Sequence, residues 1–184
     1  MRKEIKIGGF GGQGVILSAH IIGKAASIFA DKYSTMIQSF GPEARGSSCS
    51  AQVIISDHPV EYPYVTKPEI LVVMSQEAYT KFLPELKDDG ILITESDLIQ
   101  IDSNLKPSIK HFSIPSTRIA EELGRKLILN IVMVGFFTAV TNILDRDSVY
   151  KAVESSVPKG TESLNLKAFT QGYEFGIDLL KKLS

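Results

Sequence analysis

Hydrophobic and polar positions along the chain switch repeatedly between the two-residue period of a strand and the longer period of a helix. Lys3-Glu4-Ile5-Lys6-Ile7 alternates as a short strand and ends at Gly8-Gly9-Phe10-Gly11-Gly12-Gln13-Gly14. Helical spacing follows at once, with Val15, Ala19, Ile22, Ala26 and Phe29 on one stripe and Leu17, Ile21, Ala25 and Ile28 widening it. Only His20, Lys24, Ser27 and Asp31 remain as a polar face, so this helix is predicted to be covered on most sides by a sheet and its neighbours. Tyr33 to Phe40 predicts a second strand, Gly41-Pro42-Glu43-Ala44-Arg45-Gly46 a turn, and Ser48 to Ser56 a third strand. Val60 to Tyr64 suits a short edge strand cut by Pro63. Ile70 to Met74 is a continuous apolar run, as in a strand buried on both faces. Ser75 is placed to cap a helix carrying Ala78, Phe82 and Leu86, which Pro84 breaks early.

Ile91 to Thr94 and Ile109 to Ile114 are two more strands, and Ser116-Thr117 opens a helix that Gly124 ends. Beyond it the pattern is helical: Leu129 to Leu144, Asp147 to Ser156, and about Leu166 to Leu183. Strands alternating with helices, the first pair joined by a glycine turn, predict a three-layer α/β/α fold. Its sheet is expected to be mostly parallel and Rossmann-like, its last third helical, and residues 1–184 one domain. The 18 residues from Leu127 to Leu144 carry no charge, which touches the lower limit for a membrane span. Asn130, Thr138, Thr141 and Asn142 interrupt the run, and a helix buried on most sides explains it better. Its surplus of apolar surface also predicts a partner interface there or on the last helix.

Composition narrows the function. With 20 basic and 21 acidic residues there is no basic excess to track a phosphate backbone, which disfavours nucleic acid as a partner. Cys49 is the single cysteine, and with only His20, His58 and His111 beside it there is no ligand set for an iron–sulfur cluster or structural zinc. No signal-peptide core follows the basic start, so a cytoplasmic chain is expected, with no membrane partner. Neither a Ser–His–Asp order nor a nucleophile elbow is visible, and no Gly-Asp-Gly thiamine pattern occurs. No catalytic residue is assigned.

What stands out is Gly9-Phe10-Gly11-Gly12-Gln13-Gly14, a G-x-G-x-x-G run directly after a strand and at the start of a helix. Glycines there let the backbone turn tightly and approach a ligand, while the first helical N–H groups point at whatever sits in front. A diphosphate suits such a cradle; equally, the glycines can serve only to pack strand on helix. A dinucleotide site would add an Asp or Glu at the tip of the second strand, about 20 residues on. That strand ends Gln38-Ser39-Phe40, and no Lys-Ser or Lys-Thr follows the glycines to make a Walker loop. In a parallel sheet the turn after the second strand opens on the same edge as the first glycine turn. That brings Arg45 and Gly46 beside the cradle, where a guanidinium can hold a phosphate bidentately or pair with Glu43.

Gly8 to Val15 together with Ser39 to Gly46 resembles the gamma subunit of 2-oxoacid:ferredoxin oxidoreductases. The Gly-Pro-Glu-Ala-Arg-Gly run and Val73-Met74-Ser75-Gln76-Glu77-Ala78-Tyr79 resemble the 2-oxoglutarate type more than the pyruvate type, while the pyruvate and branched-chain types, which share the subunit plan, stay open as alternatives. Asn130 and the tail from Asn165 to Gly172 fit as well. The resemblance implies an enzyme that cleaves a 2-oxoacid oxidatively, passes the acyl group to coenzyme A and the electrons to ferredoxin. Thiamine diphosphate, magnesium and iron–sulfur clusters would lie on companion alpha, beta and ferredoxin-like delta subunits. On this chain, Gly9, Gly11, Gly12, Gln13 and Gly14 would face the coenzyme's diphosphate, and Arg45 with Gly46 would meet a phosphate. Two other readings stay open: a stand-alone dinucleotide-binding oxidoreductase, and a purely structural subunit.

Overall fold

The computed structural model describes residues 1–40 and 48–184, so Arg45 and Gly46 lie outside the described residues. Strand β1 (Arg2–Phe10) leads through the glycine turn into α1 (Val15–Lys24), which continues as a π-helical segment over Ala25–Phe29. Next come β2 (Tyr33–Phe40), β3 (Ser48–Ser56), β4 (Ile70–Val73), α2 (Gln76–Phe82), β5 (Ile91–Glu95) and β6 (Lys110–Ile114). The remainder is α3 (Ser116–Glu122), α4 (Leu129–Thr141), α5 (Arg146–Glu154) and α6 (Glu162–Leu183), with short 3-10 turns at Leu83–Glu85 and Lys126–Ile128.

The strands form one sheet in the order β2-β3-β1-β4-β5-β6. Strands β1, β4, β5 and β6 run parallel, whereas β3 pairs antiparallel with both β1 and β2. Alternation in β1 sends Ile5 and Ile7 to the face that α1 and the C-terminal helices cover. The opposite face is thinner: Leu71, Val73 and Leu92 pack there against Ala78, Tyr79 and Phe82 of α2. Three layers result, as the alternating pattern implied. Ser75 does cap α2, its hydroxyl accepting from the Ala78 N–H at 3.2 Å.

Two expectations need correction. Val60 to Tyr64 forms no strand. Both edges of β3, the strand it follows, are already taken by β1 and β2, and Pro63 brings no backbone donor. Nor does the uncharged run need an outside partner to cover most of its length. Every residue from Leu129 to Val140 is buried inside this chain, with α6 packed along α4 and the sheet beneath it. A helix apolar all round is satisfied by being covered all round. Among the described residues, no helix is long and apolar enough to cross a membrane.

Across the sheet, the Thr94 hydroxyl lies 2.9 Å from His111 Nε2. Burial pushes the His111 ring below its ordinary value of 6.5. An unfolded chain takes up this proton near 6.5, the folded chain only at lower pH. The resulting stability is therefore complete above 6.5 and is lost as pH falls from 6.5 through the folded value. Urea midpoints should drop between pH 7.5 and 5, and His111→Gln should flatten that slope. An unchanged slope in the variant would mean that other groups set it.

Candidate functional site

The turn after β1 is built by two left-handed glycines. Gly12 has φ +95° and Gly14 has φ +74°, values that side-chain-bearing residues rarely adopt. Gly14 is also the cap of α1, and a Cβ there would run into the Asn130 carboxamide. Its carbonyl begins the helical ladder, accepting from Ser18 N at 2.9 Å and from the Ser18 hydroxyl at 3.0 Å. Asn130 Nδ2 donates to the same oxygen at 3.4 Å. Among the described residues no side chain caps α1, and no acidic residue lies in its first turn. The N-terminal amides of α1 thus keep their positive potential, in front of an exposed Gly11-Gly12.

Gln13 behaves differently from its neighbours. Its side chain folds back over the turn, Oε1 accepting from Phe10 N at 2.7 Å and Nε2 donating to Met74 O at 2.8 Å. The turn therefore sits in the crevice between the carboxyl ends of β1 and β4, where α1 departs to one face of the sheet and α2 to the other. Open α/β sheets bind ligands at such a switch point.

The same edge holds the two described flanks of the segment that carries Arg45. Phe10 pairs with Ser48, and Phe40 with Cys49, so both flanks of residues 41–47 lie beside the glycine turn. Gly9, Gly11, Gly12, Gln13 and Gly14 are thus brought together, but Gln13 spends both ends of its carboxamide on backbone. Lys81 of α2 also reaches this edge, its ammonium 3.4 Å from the Ser48 hydroxyl. Nothing in the sequence marks it, because a lysine on an exposed helix face is most often just solvated. Glu95, wholly buried at the tip of β5, carries no sequence signal either. It accepts from Thr117 N at 2.7 Å and from the Ser116 and Thr117 hydroxyls, anchoring α3.

Cys49 is buried, and burial pushes its thiol up, away from thiolate reactivity. His20 is exposed on α1 as expected. Among the described residues no group of three or more His, Cys, Asp or Glu is arranged to hold a metal ion. The dinucleotide geometry fails as well. That arrangement needs the second strand directly beside the first, yet β3 lies between β1 and β2 and moves the β2 tip one strand further out.

These features define an open α/β domain with a glycine turn at its switch point. The chain belongs to the pyruvate ferredoxin/flavodoxin oxidoreductase family, whose pattern matches residues 4–175. It is 46% identical to the 2-oxoglutarate synthase subunit KorC of Methanocaldococcus jannaschii over 97% of this chain and 96% of that one. The pyruvate synthase subunit PorC of Methanothermobacter thermautotrophicus shares 35%, over 93% of this chain and 94% of its own. Among solved structures, the keto/oxoacid ferredoxin oxidoreductase gamma subunit of Geobacter sulfurreducens superposes with a TM-score of 0.83 at 35% identity, covering 96% and 99% of the two chains. The same fold recurs in 31% of a chain of the 2-oxoglutarate:ferredoxin oxidoreductase of Magnetococcus marinus, at a TM-score of 0.86, 19% identity and 95% of this chain. That enzyme was solved with 2-oxoglutarate, coenzyme A and succinyl-CoA bound.

Proposed function

We propose that this chain, as one gamma-type domain over residues 1–184, is a subunit of a cytoplasmic 2-oxoglutarate:ferredoxin oxidoreductase and helps to hold coenzyme A. The observation that carries the reading is its near-full-length identity to a 2-oxoglutarate synthase subunit, closer than to the pyruvate relative. The chain's role is binding, with the oxidative chemistry on its partners. One cysteine cannot supply the four thiolates of a cluster, so iron–sulfur clusters, like thiamine diphosphate and its magnesium, belong to the alpha, beta and delta subunits. Ferredoxin then takes the electrons from the assembled complex.

What this chain contributes is electrostatic and positional. Gly12 leaves the turn open to close backbone approach, and the uncapped start of α1 favours the negative charge of the coenzyme's diphosphate. Gly9 and Gly14 shape that turn from below, and Arg45 with Gly46 would close it from the neighbouring connection. No proton transfer is asked of any residue here. Coenzyme A is oriented and its phosphates are neutralised.

The test is reconstitution. The purified chain alone should be colourless and should not reduce viologen dyes with 2-oxoglutarate. Co-expressed with its companion subunits, it should support reduction that depends on both 2-oxoglutarate and coenzyme A. Cluster absorbance or turnover by the chain alone would overturn the subunit reading. A complex that turns over pyruvate in preference would move it to the pyruvate type.

A further inference from the structure

The parallel ladder between β1 and β4 runs from Ile5 opposite Ile70 to Gly8 opposite Val73, and its last backbone bond is Met74 N to Gly8 O at 2.9 Å. Past that point the two strands separate, because α1 must leave on one face and α2 on the other. The Gln13 carboxamide spans the gap as one more rung, with its acceptor on Phe10 N and its donor on Met74 O. Its own backbone N–H bonds back to Phe10 O at 3.1 Å, which folds the residue over the turn. A Cβ on Gly9 would lie only 2.6 Å from Gln13 Oε1, so the strand end is shaped to receive this side chain. Met74 and Ser75 are buried, and Ser75 caps α2, so the rung ties the start of α1 to the start of α2.

We infer that Gln13 is a positioning residue: it fixes the width of the switch-point crevice and so holds the glycine-turn amides where the diphosphate of the acyl acceptor meets them. This inference rests on the coenzyme reading above. The rung has a chemical requirement, one acceptor and one donor at either end of a planar group. A carboxylate satisfies Phe10 N–H but sets an oxygen against the Met74 carbonyl and adds negative charge under an anion site. A thioether of similar length fills the space and makes neither bond.

The experiment is steady-state kinetics of the reconstituted complex with coenzyme A as the varied substrate. Gln13→Met should raise KM for coenzyme A about tenfold, roughly the worth of one or two backbone-linked hydrogen bonds. It should leave kcat at saturating coenzyme A, and KM for 2-oxoglutarate, within about twofold, since an orientation effect on one substrate does not reach the other. Gln13→Glu keeps the Phe10 bond and should raise KM further because of its charge, and it carries the same test if Gln13→Met fails to assemble. Gly12→Val, which fills the open outer face of the turn, probes the underlying reading. If Gly12→Val raises KM for coenzyme A and both Gln13 variants leave it unchanged, the inference is wrong and the reading stands. If all three leave it unchanged, the coenzyme cradle itself is wrong. Melting points lowered with KM unmoved would make Gln13 a structural residue only.

Discussion

Gly172→Ala should lower the thermal midpoint of this chain by roughly 6–12 °C. The direction opposes helix propensity, which favours alanine over glycine by up to about 1 kcal/mol within a helix. Packing decides the sign. A Cβ at Gly172 of α6 would collide with the Val132 carbonyl of α4, and reciprocally a Cβ at Gly135 of α4 would collide with the Phe169 carbonyl of α6. The obstacles are backbone atoms, which cannot turn aside as a side chain can, so the two helices must separate along their length. Overpacking of a close contact costs about 1–3 kcal/mol, and a backbone obstacle belongs at the upper end. At about 2–4 °C per kcal/mol for a chain of this size, the stated drop follows. Thermal unfolding followed by circular dichroism checks it, and an unchanged or higher midpoint would show that α4 and α6 do not depend on the close approach. The effect should reach the site too, because α4 carries Asn130 against Gly14.

Much of this architecture is legible in the sequence. The six strands and the helices after Ile114 fall within a few residues of the positions that periodicity predicts, because apolar runs are punctuated by Gly, Pro and Ser. The direction of β3 is a different matter. Alternation identifies a strand but carries no sign of which way it runs. The sign lay instead in the length of residues 41–47, since seven residues cannot cross over to a parallel neighbour, which takes a dozen or more. The long apolar run misleads for a related reason. Hydrophobicity says that Leu129 to Val140 must be covered, not by what, and α6 lies far off in sequence until the chain folds back on it. At the site, the glycines are visible as a motif because their backbone geometry restricts the residue type. The inward turn of Gln13 and the reach of Lys81 are tertiary facts, set by Met74 just past β4 and by Ser48 on β3.

Arg45→Ala should weaken the apparent affinity of the assembled complex for coenzyme A by about 10- to 100-fold. The glycine turn offers the diphosphate only neutral donors and the partial charge of a helix end, so a full positive charge is the natural complement. Arg45 lies outside the described residues, but its connection starts and ends at Phe40 and Ser48, on the same sheet edge as the turn. Losing a hydrogen bond to a charged group costs about 1.5–3 kcal/mol, and 1.4 kcal/mol is a factor of ten, which sets the range. Decarboxylation of 2-oxoglutarate before the acyl group moves should be almost unaffected, because the proposed function places that step on other chains. The decisive comparison is therefore coenzyme A-dependent ferredoxin reduction against coenzyme-independent release of carbon dioxide in the same preparation. Normal coenzyme A affinity in the variant would make Arg45 an ion-pair partner, with Glu43 its nearest acid in sequence. Loss of both activities together with loss of the complex would instead place Arg45 at a subunit interface. Only a selective loss of the coenzyme-dependent half agrees with a phosphate contact.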